Sequence, residues 1–172
     1  YAALGARIDR SDEAAWVIEG FAGRPTAPAG PIDVANSGTS LNVALGTAAL
    51  LAGGEARFTG DEQIHRRPVC PLVQSLNDLG ADVVAERGNG CPPLRVRGTL
   101  RGGATTLEAQ NSQFLSSLLI NCPLAAGESD IRLAVLFERP YVQITLDWLA
   151  RCGVRVQCEG FERFVVPGGQ RV

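Results

Sequence analysis

Four short segments carry residue types suited to holding anions. Asn36-Ser37-Gly38-Thr39-Ser40 precedes an apolar run and combines an amide, hydroxyls and a glycine that permits close approach. At a helix start, where backbone N–H groups are unpaired, that composition makes either an anion seat or an ordinary N-cap. Asn111-Ser112-Gln113 opens a second apolar run with the same two readings. Arg66-Arg67-Pro68 and Arg139-Pro140-Tyr141 place guanidinium groups at two further helix starts, where the helix dipole disfavours a cation. A cation there needs an anionic partner, which is a phosphate, a ligand carboxylate or a neighbouring acid. Glu138 stands beside Arg139 and is expected to neutralise it, whereas Arg67 has no acid closer in sequence than Glu62.

Other chemistries lack raw material. His65 is the only histidine, so neither zinc ligation nor serine–histidine catalysis is expected, and no metal is assigned. The five cysteines at 70, 91, 122, 152 and 158 are odd in number and irregularly spaced. They read as free, mostly buried thiols in a reducing compartment, which places the chain in the cytoplasm. A net charge of −2 over 172 residues argues against nucleic-acid binding by bulk electrostatics. No run reaches the roughly 18 apolar residues a membrane helix needs, and no charged-then-apolar leader is present. Methionine is absent and the first residue is Tyr1, so the chain is expected to be a piece of a longer protein.

The elements that position these segments recur along the chain. Asn36-Ser37 and Asn111-Ser112 open matching apolar runs, and Arg67-Pro68 and Arg139-Pro140 open matching helical patterns. Leu4-Gly5-Ala6-Arg7-Ile8 matches Leu79-Gly80-Ala81-Asp82-Val83, and all these offsets are about 72 to 75 positions. The expected division is the tail of one repeat over about 1–30, a second repeat over about 31–103 and a third over about 104–172.

Each unit reads β-α-β-α-β-β, an α/β (α+β) architecture. The second unit has helices from Gly38 to about Ala52 and from Pro68 to Leu79, with strands over 55–59, 81–86 and 94–97. The third has a strand over 105–109, a helix from Ser112 to about Ala125 and a strand over 130–135. A helix from Pro140 to Cys152 and strands over 154–158 and 161–166 follow. Pro68 suits a first helical turn, and the broad apolar arcs of the helices predict that they pack inside.

Together the segments resemble the 5-enolpyruvylshikimate-3-phosphate synthases. The resemblance is carried in order by Asn36-Ser37-Gly38-Thr39, Thr59-Gly60-Asp61, Arg67-Pro68-Val69-Cys70-Pro71-Leu72 and Pro92-Pro93-Leu94-Arg95-Val96. It continues through Ser112-Gln113-Phe114 and Pro140-Tyr141 to Ile144-Thr145-Leu146, and so covers essentially the whole chain. It implies an enolpyruvyl transferase-like domain, of which this chain is part of the N-terminal one. The implied activity moves the enolpyruvyl group of phosphoenolpyruvate to the 5-hydroxyl of shikimate 3-phosphate on the route to chorismate, without metal or organic cofactor. The implied partners are those two substrates and the remaining part of the same enzyme. By resemblance, Gly38, Thr39 and Arg67 face phosphoenolpyruvate, while Asn111, Ser112, Gln113 and Tyr141 face shikimate 3-phosphate. The family's lysine and acid–base carboxylates lie outside these residues, so the chain alone is expected to be inactive.

Four positions depart from the family pattern. Asn42 and Gln63 stand where arginines are usual, and Asn111 and Glu138 stand where serines are usual. A related reading is the transferase acting on UDP-N-acetylglucosamine, but its cysteine position is Glu62 here. A further reading is a non-catalytic repeat scaffold that binds a phosphorylated ligand or a partner protein.

Overall fold

The computed structural model describes residues 1–171. Strand β1 (Arg7–Asp9) pairs with β2 (Val17–Glu19) as an antiparallel hairpin, following a short helical turn closed by Gly5 at φ 104°. The next stretch is β3 (Ile32–Asp33), α1 (Gly38–Ala48), β4 (Glu55–Thr59), α2 (Cys70–Asp78), β5 (Asp82–Ala85) and β6 (Leu94–Arg97). The last is β7 (Gly103–Ala109), α3 (Ser112–Asn121), β8 (Ser129–Leu136), α4 (Arg139–Arg151), β9 (Gln157–Glu159) and β10 (Arg163–Val166).

Two four-stranded sheets share one topology, with strand orders β3-β4-β6-β5 and β7-β8-β10-β9. In each the first pair is parallel and the remaining pairs are antiparallel. A parallel pair needs a crossover, and α1 and α3 supply it. Strand alternation aims side chains at these helices: β4 buries Ala56 and Phe58 and turns Glu55 and Arg57 outward. Between the sheets α1 packs against α3, and one contiguous core runs through Leu41, Leu45, Phe58, Leu94, Leu115, Leu118 and Phe164.

The seam between α1 and α3 is tight and partly polar. A Cβ on Gly46 would lie 2.5 Å from Ser117 Oγ and 2.6 Å from Asn121 Nδ2, so glycine is what lets the helices meet. Ser117 Oγ donates to the Asn42 carbonyl at 2.7 Å, and Thr47 Oγ1 donates to Asn121 Oδ1 at 3.1 Å.

Several expectations are corrected. Pro68 lies outside α2, whose second residue is Pro71. The residue before a proline avoids helical backbone, and Arg67 is extended at ψ 112°. The Val69 N–H is spent on the Gly90 carbonyl, which ties the helix start to the turn before β6. Helices α1 and α3 end earlier than expected, with α3 giving way to a short helical turn at Cys122–Leu124. Strand β10 starts late because Phe161 adopts φ 60° in the turn after β9.

Deep packing holds for α1 and α3 but not for α4. Only Val142 of α4 is fully buried, and Tyr141, Ile144 and Trp148 are exposed. The crossover helices are covered on two sides, whereas α4 is covered by α3 and the adjoining structure on one. The cysteines are not mostly buried either: Cys70, Cys152 and Cys158 are exposed, and Cys91 and Cys122 are buried. Among the described residues, no helix is long and apolar enough to cross a membrane, and no group of three or more metal-binding side chains occurs.

Candidate functional site

The starts of α1 and α3, together with the segment leading into α2, frame a cavity of about 320 Å³. Ser37 caps α1 through its Oγ, which accepts from the Ser40 N–H at 3.1 Å. Asn111 caps α3, its Oδ1 accepting from the Gln113 N–H at 2.9 Å. Both helices therefore have ordinary side-chain caps, and neither carries an acid in its first turn. Gly38, Thr39, Arg67, Asn111 and Gln113 all line this cavity, and no acidic residue does.

Arg67 is positioned by polar neighbours rather than by a counter-charge. Its Nη2 donates to Asn36 Oδ1 at 2.9 Å, and Asn36 Nδ2 donates to Gln63 Oε1 at 2.9 Å. Among the described residues no carboxylate lies within ion-pair distance of Arg67, whereas Arg66 reaches Glu62 at 3.5 Å. Gly38 makes room for the guanidinium, since a Cβ there would sit 2.9 Å from Nη1.

Gln113 forms the wall between this cavity and a neighbour of about 520 Å³. Its Nε2 donates to Thr39 Oγ1 at 2.8 Å, and its Oε1 accepts from Asn42 Nδ2 at 3.0 Å. Asn42 is buried, and its Oδ1 has no partner. The second cavity is lined by Thr39, Val43, Ser112, Gln113, Ser116, Glu138, Tyr141 and Thr145. The seven residues singled out in the sequence thus fall on two adjoining cavities that share Thr39 and Gln113.

The expected pairing of Glu138 with Arg139 is corrected. Glu138 Oε2 accepts from Ser112 Oγ at 2.8 Å and from the Ser112 N–H at 3.4 Å. Arg139 turns the other way and lays its guanidinium over the Phe161 ring, 5.8 Å from the centroid. Glu138 has left-handed backbone, φ 60° and ψ 42°, which throws its side chain back from α4 toward α3.

Asn36, Asn42, Ser116 and Thr145 line or support the site without having been singled out for it. Asn36 sits inside a motif already singled out, but its grip on Arg67 spans 31 residues and leaves no local trace. The Ser116–Thr145 hydroxyl pair, 2.8 Å apart, joins α3 to α4. A helical register that places Thr145 one turn after Tyr141 was the available signal.

In chemical terms the first cavity presents an unpaired cation and acid-free helix starts, which suits an anion. The second presents hydroxyls, an amide and one carboxylate, which suits a hydroxyl-rich ligand.

Comparison with known proteins places the chain in a wider group. The family model for EPSP synthase (3-phosphoshikimate 1-carboxyvinyltransferase) matches residues 1–172. The 3-phosphoshikimate 1-carboxyvinyltransferase of Acetivibrio thermocellus is 44% identical over 169 residues, which is 98% of this chain and 40% of that protein. The corresponding protein of Methanothrix thermoacetophila is 46% identical over 155 residues, 89% of this chain and 36% of its own length. The solved structure of EPSP synthase from Acinetobacter baumannii has a TM-score of 0.85 at 24% identity. It covers 99% of this chain and 38% of that one, a likeness that establishes the fold. The chain therefore spans about 40% of the length of the first of these relatives.

Proposed function

This chain belongs to the EPSP synthase (3-phosphoshikimate 1-carboxyvinyltransferase) family, and on that premise we propose that it forms part of the N-terminal domain of such an enzyme. The domain portion comprises the tail of one repeat (about 1–30) and two further repeats (about 31–103 and 104–172), a division supported by the identical strand orders of the two sheets. The whole enzyme transfers the enolpyruvyl group of phosphoenolpyruvate to the 5-hydroxyl of shikimate 3-phosphate. It works in the cytoplasm, a placement supported by five cysteines that are all free.

In this reading the two cavities divide the substrates between them. Arg67, with Gly38 and Thr39, holds the anionic groups of phosphoenolpyruvate. Ser112, Gln113 and Tyr141 hold the ring substrate, while Asn111, expected on that side, lines the phosphoenolpyruvate cavity and caps α3. The 5-hydroxyl gives up its proton as its oxygen adds to the substituted alkene carbon, and the methylene carbon takes a proton to become a methyl group. Loss of a methyl proton and departure of phosphate then restore the double bond. This chain's residues contribute binding and orientation to those steps, and Gln113 fixes the distance between the two ligands. The proton donors and acceptors belong to the rest of the enzyme.

The observation that carries the reading is Arg67, held by Asn36 and, among the described residues, unopposed by any carboxylate at the rim of a cavity they leave acid-free. In the full-length protein, Arg67→Ala should lose a charge-assisted contact worth about 2–4 kcal/mol, lowering kcat/KM for phosphoenolpyruvate roughly thirty- to a thousandfold. Stability should change by less than about 1 kcal/mol, because the side chain is exposed. Phosphate release assays and thermal melts on the same variant check both. Near-normal kinetics with a large fall in melting temperature would make Arg67 a structural residue instead.

A further inference from the structure

The two cavities carry opposite charge, and the reading given above does not account for it. The first holds Arg67 and no acid, while the second holds Glu138 and no base. Glu138 is not neutralised elsewhere, since among the described residues no arginine lies within ion-pair distance of it. Arg139 is turned onto Phe161. The Glu138 carboxylate instead takes both donors of Ser112, the hydroxyl and the N–H at the first position of α3. Those are the donors an entering oxyanion would need, and Ser112 is buried at 4% exposure with few other ways to be satisfied. Left-handed backbone at a non-glycine residue is uncommon, and here it is what delivers the carboxylate to that position.

We infer that Glu138 is a specificity-determining residue, a built-in carboxylate that competes with the phosphate of the ring substrate for the Ser112 donors. The inference rests on the assignment of the second cavity to that substrate. A dianionic ligand entering the cavity either meets Glu138 as a like charge or displaces it from Ser112, and both weaken binding. A ligand that presents only hydroxyls to Thr39, Ser116, Tyr141 and Thr145 incurs neither cost. The site is therefore biased toward the hydroxyls of the ring and against its phosphate, relative to the same site with a neutral residue.

The test titrates the full-length protein, wild type, Glu138→Gln and Glu138→Ser, with shikimate 3-phosphate, with shikimate and with inorganic phosphate by calorimetry. Glutamine keeps the volume and an acceptor for Ser112 while removing the charge, and serine carries the test should the glutamine variant fail to fold. Both variants should bind shikimate 3-phosphate about 5- to 50-fold more tightly. Shikimate should move by less than about twofold, and inorganic phosphate should tighten in step with shikimate 3-phosphate. Unchanged or weaker binding of shikimate 3-phosphate in the variants overturns the inference, as does equal tightening of shikimate. A wild type that binds neither shikimate 3-phosphate nor phosphoenolpyruvate overturns the functional assignment instead. In that case the inorganic phosphate arm decides alone whether Glu138 guards an anion seat, with no gain in the variants overturning it.

Discussion

Gly38 and Arg67 are coupled through space, which makes the glycine testable apart from the arginine. A methyl group at Gly38 would meet the far end of a flexible side chain, so the guanidinium shifts and the backbone does not. Gly38→Ala should raise the KM for phosphoenolpyruvate about tenfold, while stability holds or rises by less than about 1 kcal/mol. Steady-state kinetics and a melting curve on the full-length variant check this. The cysteines separate just as cleanly. Burial pushes the Cys122 thiol up to about 11 and raises Cys91 as well, whereas Cys70, Cys152 and Cys158 face solvent. Brief alkylation of the native protein at pH 8 should modify those three and spare Cys122, as read by peptide mass mapping. At this scale the lack of a neighbouring acid for Arg67 was legible, since no Asp or Glu stands closer than Glu62, although the helix it was expected to open begins only at Cys70. The aim of Glu138 was not, because adjacency to Arg139 says nothing about which way a left-handed residue throws its side chain.

Among the elements, the sheet that carries β8 and β10 is pinned by a two-pronged ion pair. Arg163 Nε and Nη2 each lie 2.9 Å from one oxygen of Asp130, and Glu159 on β9 joins at 3.2 Å. The hydrogen bonds from Arg163 hold the Asp130 carboxyl below its ordinary value of 3.8. A lowered carboxyl contributes stability that is fully present above 3.8 and is lost as pH falls through the folded-state value. Asp130→Asn should therefore lower Tm at pH 7, and the gap to wild type should close as the pH is taken below 3.8. Melting curves across that range would show it. Strand identity was well signalled here, since alternation in Glu55–Thr59 and in Leu94–Arg97 gives their limits directly. The start of α2 was not, because Pro68 satisfies the local rule while Val69 is bound to Gly90 across 21 residues. Nor was the shallow setting of α4, whose apolar residues match those of a buried helix although only one neighbour side is covered.

Over the whole molecule, large apolar side chains cluster on the surface in two places, apart from Tyr1, Val84 and Ile120. Ile8, Trp16, Val17 and Ile18 crowd the β1–β2 hairpin, and Phe137, just before α4, adjoins Tyr141, Ile144 and Trp148 on that helix. The 172-residue chain by itself should bind a hydrophobic dye and elute with a concentration-dependent apparent mass. A monomer of constant mass without dye fluorescence would contradict this. The spacing of matching motifs made the repeating plan readable from the sequence, but not the way the repeats meet, since no pattern within one unit reports the polar seam of α1 and α3. That seam has a kinetic meaning. Gln113 finds Thr39 across 74 residues, Ser117 finds the Asn42 carbonyl across 75, and Thr47 finds Asn121 across 74. Contacts of such long range form only after most of the chain-closure entropy has been spent, so they belong to the late stages of folding. The wall between the two cavities consequently has no existence in any species where a single unit has formed. Ligands of these cavities recognise the docked pair and nothing earlier, and they act as thermodynamic clamps on the joint between units rather than on either unit alone.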